Sequence, residues 1–250
     1  MSLAGRTVLV TRPPAQCAGL EALLDAEGAR TLRFPLIDIA PEADALAALA
    51  GEATAADWLI LVSPSAIDCA WPTLGQLAAL PRLACVGAAS ARRLATLSGR
   101  EVLYPQDGND STALLGEAAM QQVAGQRMLI VRGVGGRTEL AEALRARGAD
   151  VRYAEVYRRE EITPDWGEFD RLATKGGPDA CIVTSSEIAD RLFHLAGSVR
   201  IRALQCLQYC VPHPRIADRL AALGAARIVT TRADDAAMVT GLKEWFSRHP

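Results

Sequence analysis

The chain predicts an α/β protein of parallel sheets covered by helices on both faces, divided into more than one compact part. Three observations carry that prediction. Short continuous apolar runs alternate with helix-spaced leucines, the alternation recurs along the chain at a nearly constant offset, and 250 residues exceed what one ordinary core fills.

Taken in order, Val8-Leu9-Val10 has the composition of a strand buried on both faces, and Leu20, Leu23 and Leu24 follow at helical spacing. Gly28 closes that helix, where a left-handed cap is least strained. Pro35 and Pro41 bracket Leu36 to Ala40, and proline disfavours helix in the residue before it, so an extended segment is expected there. Leu61-Val62 then breaks into Ser63-Pro64-Ser65, and Leu83-Ala84-Cys85-Val86 into Gly87-Ala88-Ala89-Ser90. Each reads as a strand, a loop and a helix start.

The order then begins again. Met128-Leu129-Ile130-Val131 leads into Arg132-Gly133, Leu140, Ala143 and Leu144 precede Gly148, Ala180-Cys181-Ile182-Val183 ends in Thr184-Ser185-Ser186, and Cys210-Val211 leads into Pro212-His213-Pro214-Arg215. Thr7 to Ile37 lies on Arg127 to Tyr157 at an offset of 120 without a gap, placing Leu9 on Leu129, Arg12 on Arg132 and Gly28 on Gly148. Later elements repeat at 121 and 125, with Cys85 on Cys210 and Gly99 on Gly224. Two similar halves are therefore expected. The counterpart of Leu36 to Ala40 is Glu155 to Glu160, and two such crossings imply a hinge.

Composition excludes several classes of function. A formal net charge of -2 offers no cationic field for nucleic acid or an anionic bilayer. No run approaches the ~18 apolar residues of a membrane span, and Met1 to Arg6 leads straight into the first apolar run, so a cytoplasmic protein is expected. The six cysteines include no C-x-x-C pair and read as small buried hydrophobes in a reducing compartment. His194, His213 and His249 have no spacing that builds a metal site, and none is expected. Gly133-Val134-Gly135-Gly136 fails the dinucleotide fingerprint because Thr138 stands where the third glycine belongs. There is no G-x-S-x-G elbow.

What remains is a set of loops at the carboxyl ends of the strands, where open parallel sheets bind ligands. Arg12, Pro13, Ser63, Pro64, Ser65, Gly87, Ala88, Ser90, Arg132, Gly133, Arg137, Thr184, Ser185, Ser186, His213 and Arg215 are the candidate binding residues. Small residues let a ligand approach the backbone, helix-start amides bind anions, and arginine neutralises carboxylates. Serine at a helix start also caps the helix, and the two roles are compatible. A polyanionic ligand suits this set. The competing reading is a two-lobed binding module that closes on a small anionic metabolite without chemistry.

Val8-Leu9-Val10-Thr11-Arg12-Pro13, Gly28-Ala29, Pro35 with Ile37 and Ile39, Leu129 to Gly133 with Gly136-Arg137, Glu155-Val156-Tyr157, Val183 to Ser186 and the Val211 to Leu223 helix entry together resemble the uroporphyrinogen-III synthase family. The likeness spans nearly the whole chain. It implies two flavodoxin-like lobes joined by a two-stranded connector: residues 1–35 plus 162–250, residues 41–153, and connector strands at 36–40 and 154–161. The implied reaction is cofactor-free closure of the linear tetrapyrrole hydroxymethylbilane by a monomer, with inversion of the terminal ring and loss of water. By its match to the family's crossing tyrosine, Tyr157 is the expected proton donor to the departing hydroxyl. Pro212-His213-Pro214-Arg215 departs from the small hydroxyl residues of relatives, so imidazole and guanidinium are expected to serve there.

Overall fold

The computed structural model describes residues 2–108 and 110–249. The first half of the chain forms β1 (Thr7–Val10), α1 (Ala18–Ala26), β2 (Arg30–Arg33), β3 (Ile37–Pro41), α2 (Ala43–Ala55), β4 (Trp58–Leu61), α3 (Pro64–Leu74), β5 (Arg82–Cys85), α4 (Ala88–Ser98), β6 (Val102–Leu103), α5 (Ser111–Gly116) and α6 (Ala118–Gln121). The second half repeats the order in β7 (Arg127–Gly133), α7 (Glu139–Ala146), β8 (Asp150–Glu161), α8 (Trp166–Ala173), β9 (Ala180–Ile182), α9 (Ser186–Gln205), β10 (Gln208–Val211), α10 (Pro214–Ala222), β11 (Arg227–Thr230) and α11 (Asp235–Arg248). Helix α9 is broken at Gly197, whose φ of 60° is left-handed.

Two compact units result, one of Met1–Asp38 with Glu160–Pro250 and one of Ile39–Arg159. Both chain crossings fall inside strands, β3 and β8. The first unit holds a parallel sheet in the order β11-β10-β9-β1-β2, and the second holds β3-β8-β7-β4-β5-β6. Each sheet therefore draws strands from both halves of the sequence. The α/β class with parallel sheets is as the sequence predicts, and so is the repeat.

In the first unit, Leu9, Cys181, Tyr209 and Val211 face one helical layer, while Val8, Val10, Ala180, Ile182 and Cys210 face the other. The second unit is built alike, with Leu59, Leu61, Leu129 and Val131 on one face and Trp58, Ile60, Met128 and Ile130 on the other. Strands covered twice are apolar at every position, which explains the continuous runs. Gly28 and Gly148 close α1 and α7 at φ of 76° and 84°. A Cβ at either would lie 3.3 Å from Ala4 or Ala124, so both conformation and space require glycine. Leu23, expected on the buried face of α1, is exposed, because Leu20 and Leu24 fill the contact.

At the seam between the halves, two aspartates that the sequence reading passes over do structural work. Asp57 and Asp179 stand just before β4 and β9, and each bridges the starts of three strands. The Asp57 amide donates to Arg127 O at 2.8 Å, its carboxylate accepts from Arg127 N at 2.8 Å, and its carbonyl accepts from Arg82 N at 3.1 Å. Asp179 does the same with Thr7 O, Thr7 N and Gln208 N, at 2.9, 2.8 and 3.1 Å. Arg6 and Arg127 add ion pairs to Asp179 and Asp57 at 3.0 and 3.3 Å.

Four cysteines, Cys17, Cys85, Cys181 and Cys210, are buried, and burial pushes the Cys85 and Cys210 thiols up to about 12. Cys206 is the exposed exception. No helix among the described residues is long and apolar enough to cross a membrane.

Asp179→Ala leaves the buried Thr7 amide unpaired and should lower unfolding free energy by about 1–3 kcal/mol in urea titrations, with secondary structure retained. The Arg127 amide, then its guanidinium, hold the Asp57 carboxyl below its ordinary 3.8. Because the folded value is depressed, this contribution is complete above pH 3.8 and is lost as pH falls through the folded value. Urea midpoints measured from pH 7 down to about 2 should therefore converge for the native chain and Asp57→Asn at the acid end. A constant gap would show that the carboxylate's charge is irrelevant to the seam.

Candidate functional site

Chain order reverses between β7 and β4 in the second sheet and between β1 and β9 in the first, which are the switch points where such sheets present a crevice. The predicted residues gather there, unit by unit.

In the second unit, Ser63, Gly133 and Tyr157 come together beyond the ends of β4 and β7. Ser63 caps α3, its Oγ accepting from Ala66 N at 3.1 Å, and the same Oγ lies 3.2 Å from the Tyr157 hydroxyl. Tyr157 is 2% exposed and packs against the sheet's apolar face. Pro64 is exposed at the first position of α3, and Ser65 is half-buried behind it. Gly87 caps α4, Ala88 opens that helix, and Ser90 is buried one residue beyond Ala89. Arg137 is exposed, with no ion pair among the described residues.

Two expectations change here. Gly133 is expected from the sequence to let a ligand approach the backbone, but the Tyr157 ring occupies that space: a Cβ on Gly133 would sit 2.6 Å from Tyr157 Cζ. Arg132 is expected to capture carboxylate, but it is 6% exposed and already paired inside the fold. Its guanidinium meets Glu155 at 3.0 Å, donates to Arg137 O at 3.0 Å, and stacks 4.1 Å from the centre of the Tyr153 ring. Burial of a guanidinium requires such partners, and they leave little of it for a ligand.

The first unit repeats this pattern. Arg12, at the position equivalent to Arg132, meets Asp235 at 2.6 Å and donates to Met238 Sδ. Pro13 is buried beside it. Thr11 donates through Oγ1 to Ile182 O at 2.8 Å, tying the loop after β1 to β9. Thr184 is half-buried, Ser185 caps α9 by accepting from Ile188 N at 3.1 Å, and Ser186 Oγ is buried without a partner. His213, expected to meet ligand through its imidazole, caps α10 instead, Nδ1 accepting from Arg215 N at 3.1 Å. Arg215 is exposed without an ion pair among the described residues. A cavity of about 300 Å³ beyond β11 is lined by Thr231, Arg232, Thr240 and Glu244, among others, and Arg232 is largely open to solvent.

The arrangement offers helix-start amides and hydroxyls at the strand ends, exposed guanidinium groups at Arg137, Arg215 and Arg232, and one phenol paired with a serine. That set can bind carboxylates and supply a proton at a defined place. No group of three or more His, Cys, Asp or Glu among the described residues could hold a metal ion. The sequence reading misses Glu155, Asp235 and Tyr153, the groups that hold Arg132 and Arg12 in place. Their repeat positions carry no common residue type, so only contact reveals them.

Arg132→Ala should lower stability by about 1–3 kcal/mol, because it orphans Glu155 and uncovers Tyr153. Arg12→Ala should act in the same direction. Thermal melts beside substrate titrations separate this from a binding role: an unchanged melting temperature with a raised KM would return these arginines to the ligand.

The uroporphyrinogen-III synthase HemD family model matches residues 18–240. The chain is 37% identical over 199 residues to uroporphyrinogen-III synthase of Escherichia coli (strain K12), covering 76% of this chain and 79% of that one. Its fold is similar to crystal structures of uroporphyrinogen-III synthetase from Helicobacter pylori 26695, with a TM-score of 0.62 at 16% identity, and of a mutant uroporphyrinogen III synthase from Thermus thermophilus, with a TM-score of 0.59 at 19% identity. These cover 97% and 98% of this chain and 99% and 100% of the other.

Proposed function

Since the chain belongs to the uroporphyrinogen-III synthase family, we propose that it closes hydroxymethylbilane to uroporphyrinogen III, inverting the terminal pyrrole ring and releasing one water. The observation that supports the chemistry is the Ser63 and Tyr157 hydroxyl pair at the switch point of the second unit.

The reaction removes a hydroxyl and a proton and transfers no net electrons, so it needs no electron carrier; we place it among the hydro-lyases and assign it no cofactor. The linear substrate loses its hydroxyl to give an azafulvene, a substituted pyrrole carbon attacks to form a spiro intermediate, and rearrangement precedes closure. Hydroxide is a poor leaving group, so a proton delivered to it as the C–O bond breaks is the protein's chemical contribution. Tyr157 fits that role through its phenol, a donor at neutral pH. Ser63 Oγ already accepts from Ala66, and when it donates to the phenol oxygen the phenol's own proton is left for the substrate.

The pyrroles are electron-rich and close without help, so the larger task is to hold one conformer and exclude direct closure. Each pyrrole carries an acetate and a propionate. Arg137 in the second unit and Arg215 and Arg232 in the first are the guanidinium groups we assign to them. The amides opening α3, α4, α9 and α10, at Ser65, Ala88, Ser186 and Arg215, are the neutral donors we add. Ser90 and Pro13 shape these loops from below.

With hydroxymethylbilane generated enzymatically and the isomers separated, the native chain should yield the type III product. Type I alone would reject the assignment. Tyr157→Phe should reduce kcat by ~100-fold with KM within about threefold of the native value, since only a transition-state contact is lost. Native kcat in that variant would remove Tyr157 from the chemistry. Arg137→Ala and Arg215→Ala should raise KM while leaving thermal stability unchanged, the opposite of what Arg132→Ala does.

A further inference from the structure

We infer that Gly133 and Ser63 are positioning residues that aim the Tyr157 phenol, Gly133 by the room it leaves and Ser63 by the hydrogen bond it makes. The inference rests on Tyr157 being the proton donor.

Gly133 is buried, yet its backbone is not left-handed, so conformation alone would accept alanine. The requirement for glycine comes from the tyrosine. A Cβ there would lie 2.6, 2.7 and 3.0 Å from Cζ, Cε2 and the hydroxyl of Tyr157. These are the outer atoms of the ring, which can swing away, so the expected response is a displaced phenol and not a broken sheet.

Strand pairing brings the two residues together. Pairing of β7 with β8 is regular from Arg127 opposite Asp150 to Arg132 opposite Glu155, then slips by one so that Gly133 lies opposite Tyr157. Val156 is the extra residue, and bulges of this kind turn a side chain to a new direction. The Val134 amide donates to Tyr157 O at 2.8 Å and resumes the ladder beyond the slip. Tyr157 is thereby held at its backbone, while the ring lies over Gly133 and the hydroxyl reaches Ser63.

Ser63 completes the aim. Its Oγ is fixed by the Ala66 amide, because it is the cap of α3. A hydroxyl that accepts one bond keeps one proton and one lone pair, so its contact with Tyr157 has a direction set by the helix. Sheet, bulge and helix cap all converge on one phenol oxygen.

The test compares Gly133→Ala, Tyr157→Phe and the double variant in the full chain. Gly133→Ala should lower kcat at least ~30-fold with KM within about threefold, and the double variant should be no slower than Tyr157→Phe, as for residues acting through one group. With 3-fluorotyrosine incorporated, the four tyrosines give separate fluorine resonances, and Gly133→Ala should move the one that Tyr157→Phe deletes. Native kcat in Gly133→Ala, or losses that multiply in the double variant, would overturn the inference. If Gly133→Ala does not fold, Ser63 carries the test: Ser63→Ala should lower kcat at least ~10-fold, while Ser63→Thr, which keeps hydroxyl and cap, should restore most of it. Equal kcat in the two Ser63 variants would overturn the inference. Loss of activity in Tyr157→Phe but not in Gly133→Ala would sink the positioning role alone; native kcat in Tyr157→Phe would sink the donor assignment with it.

Discussion

The structure depends on a seam. β1 pairs with β9 and β7 with β4, so each sheet closes across the boundary between the two sequence halves. Strands so distant in sequence meet only after a large loss of chain entropy, and such pairings are expected to form late. Asp179 and Asp57 mark where they meet. By bonding to three strands at once, each aspartate sets the vertical register of its sheet, and an offset there would move every loop at the opposite end. The switch points lie at the far ends of the same strands, so the register of the candidate site is decided by carboxylates on the other side of the sheet.

The loops at those far ends contain two kinds of polar group. One kind is consumed by the fold: Arg12 and Arg132 turn inward, and Ser63, Ser185 and His213 cap helices. The other kind is open to solvent: Arg137, Arg215, Arg232 and the first amides of the helices. A buried guanidinium without partners is untenable, whereas an exposed one loses little on meeting a carboxylate. The inward arginines hold the loops, and the outward ones are left for an acidic ligand. Tyr157 belongs to neither kind, since it is buried and yet keeps a hydroxyl beside another hydroxyl.

Much of this is legible in the sequence because local rules govern it. Doubly covered strands must be apolar throughout, so Val8-Leu9-Val10 and Met128 to Val131 announce parallel sheets. Gly28 and Gly148 end helices where only glycine fits. Ser63 and Ser185 stand where strand gives way to helix, and they cap. The repeat picks out Arg12 and Arg132 as a pair but assigns them the wrong role, because a sequence displays a charge without showing what surrounds it. Glu155 and Asp235 decide those roles from positions 23 and 223 residues away.

By itself, then, the sequence determined the class of fold, the duplication, the order of elements and the family, since each follows from patterns that a few neighbouring residues or a constant offset can carry. Tertiary structure alone decided which arginines are spent internally, that His213 is a cap, that Gly133 seats a tyrosine, and that two aspartates pin the sheets. Those outcomes depend on burial and on contacts between residues far apart in the chain, and no local pattern encodes the distance between two side chains that folding brings together.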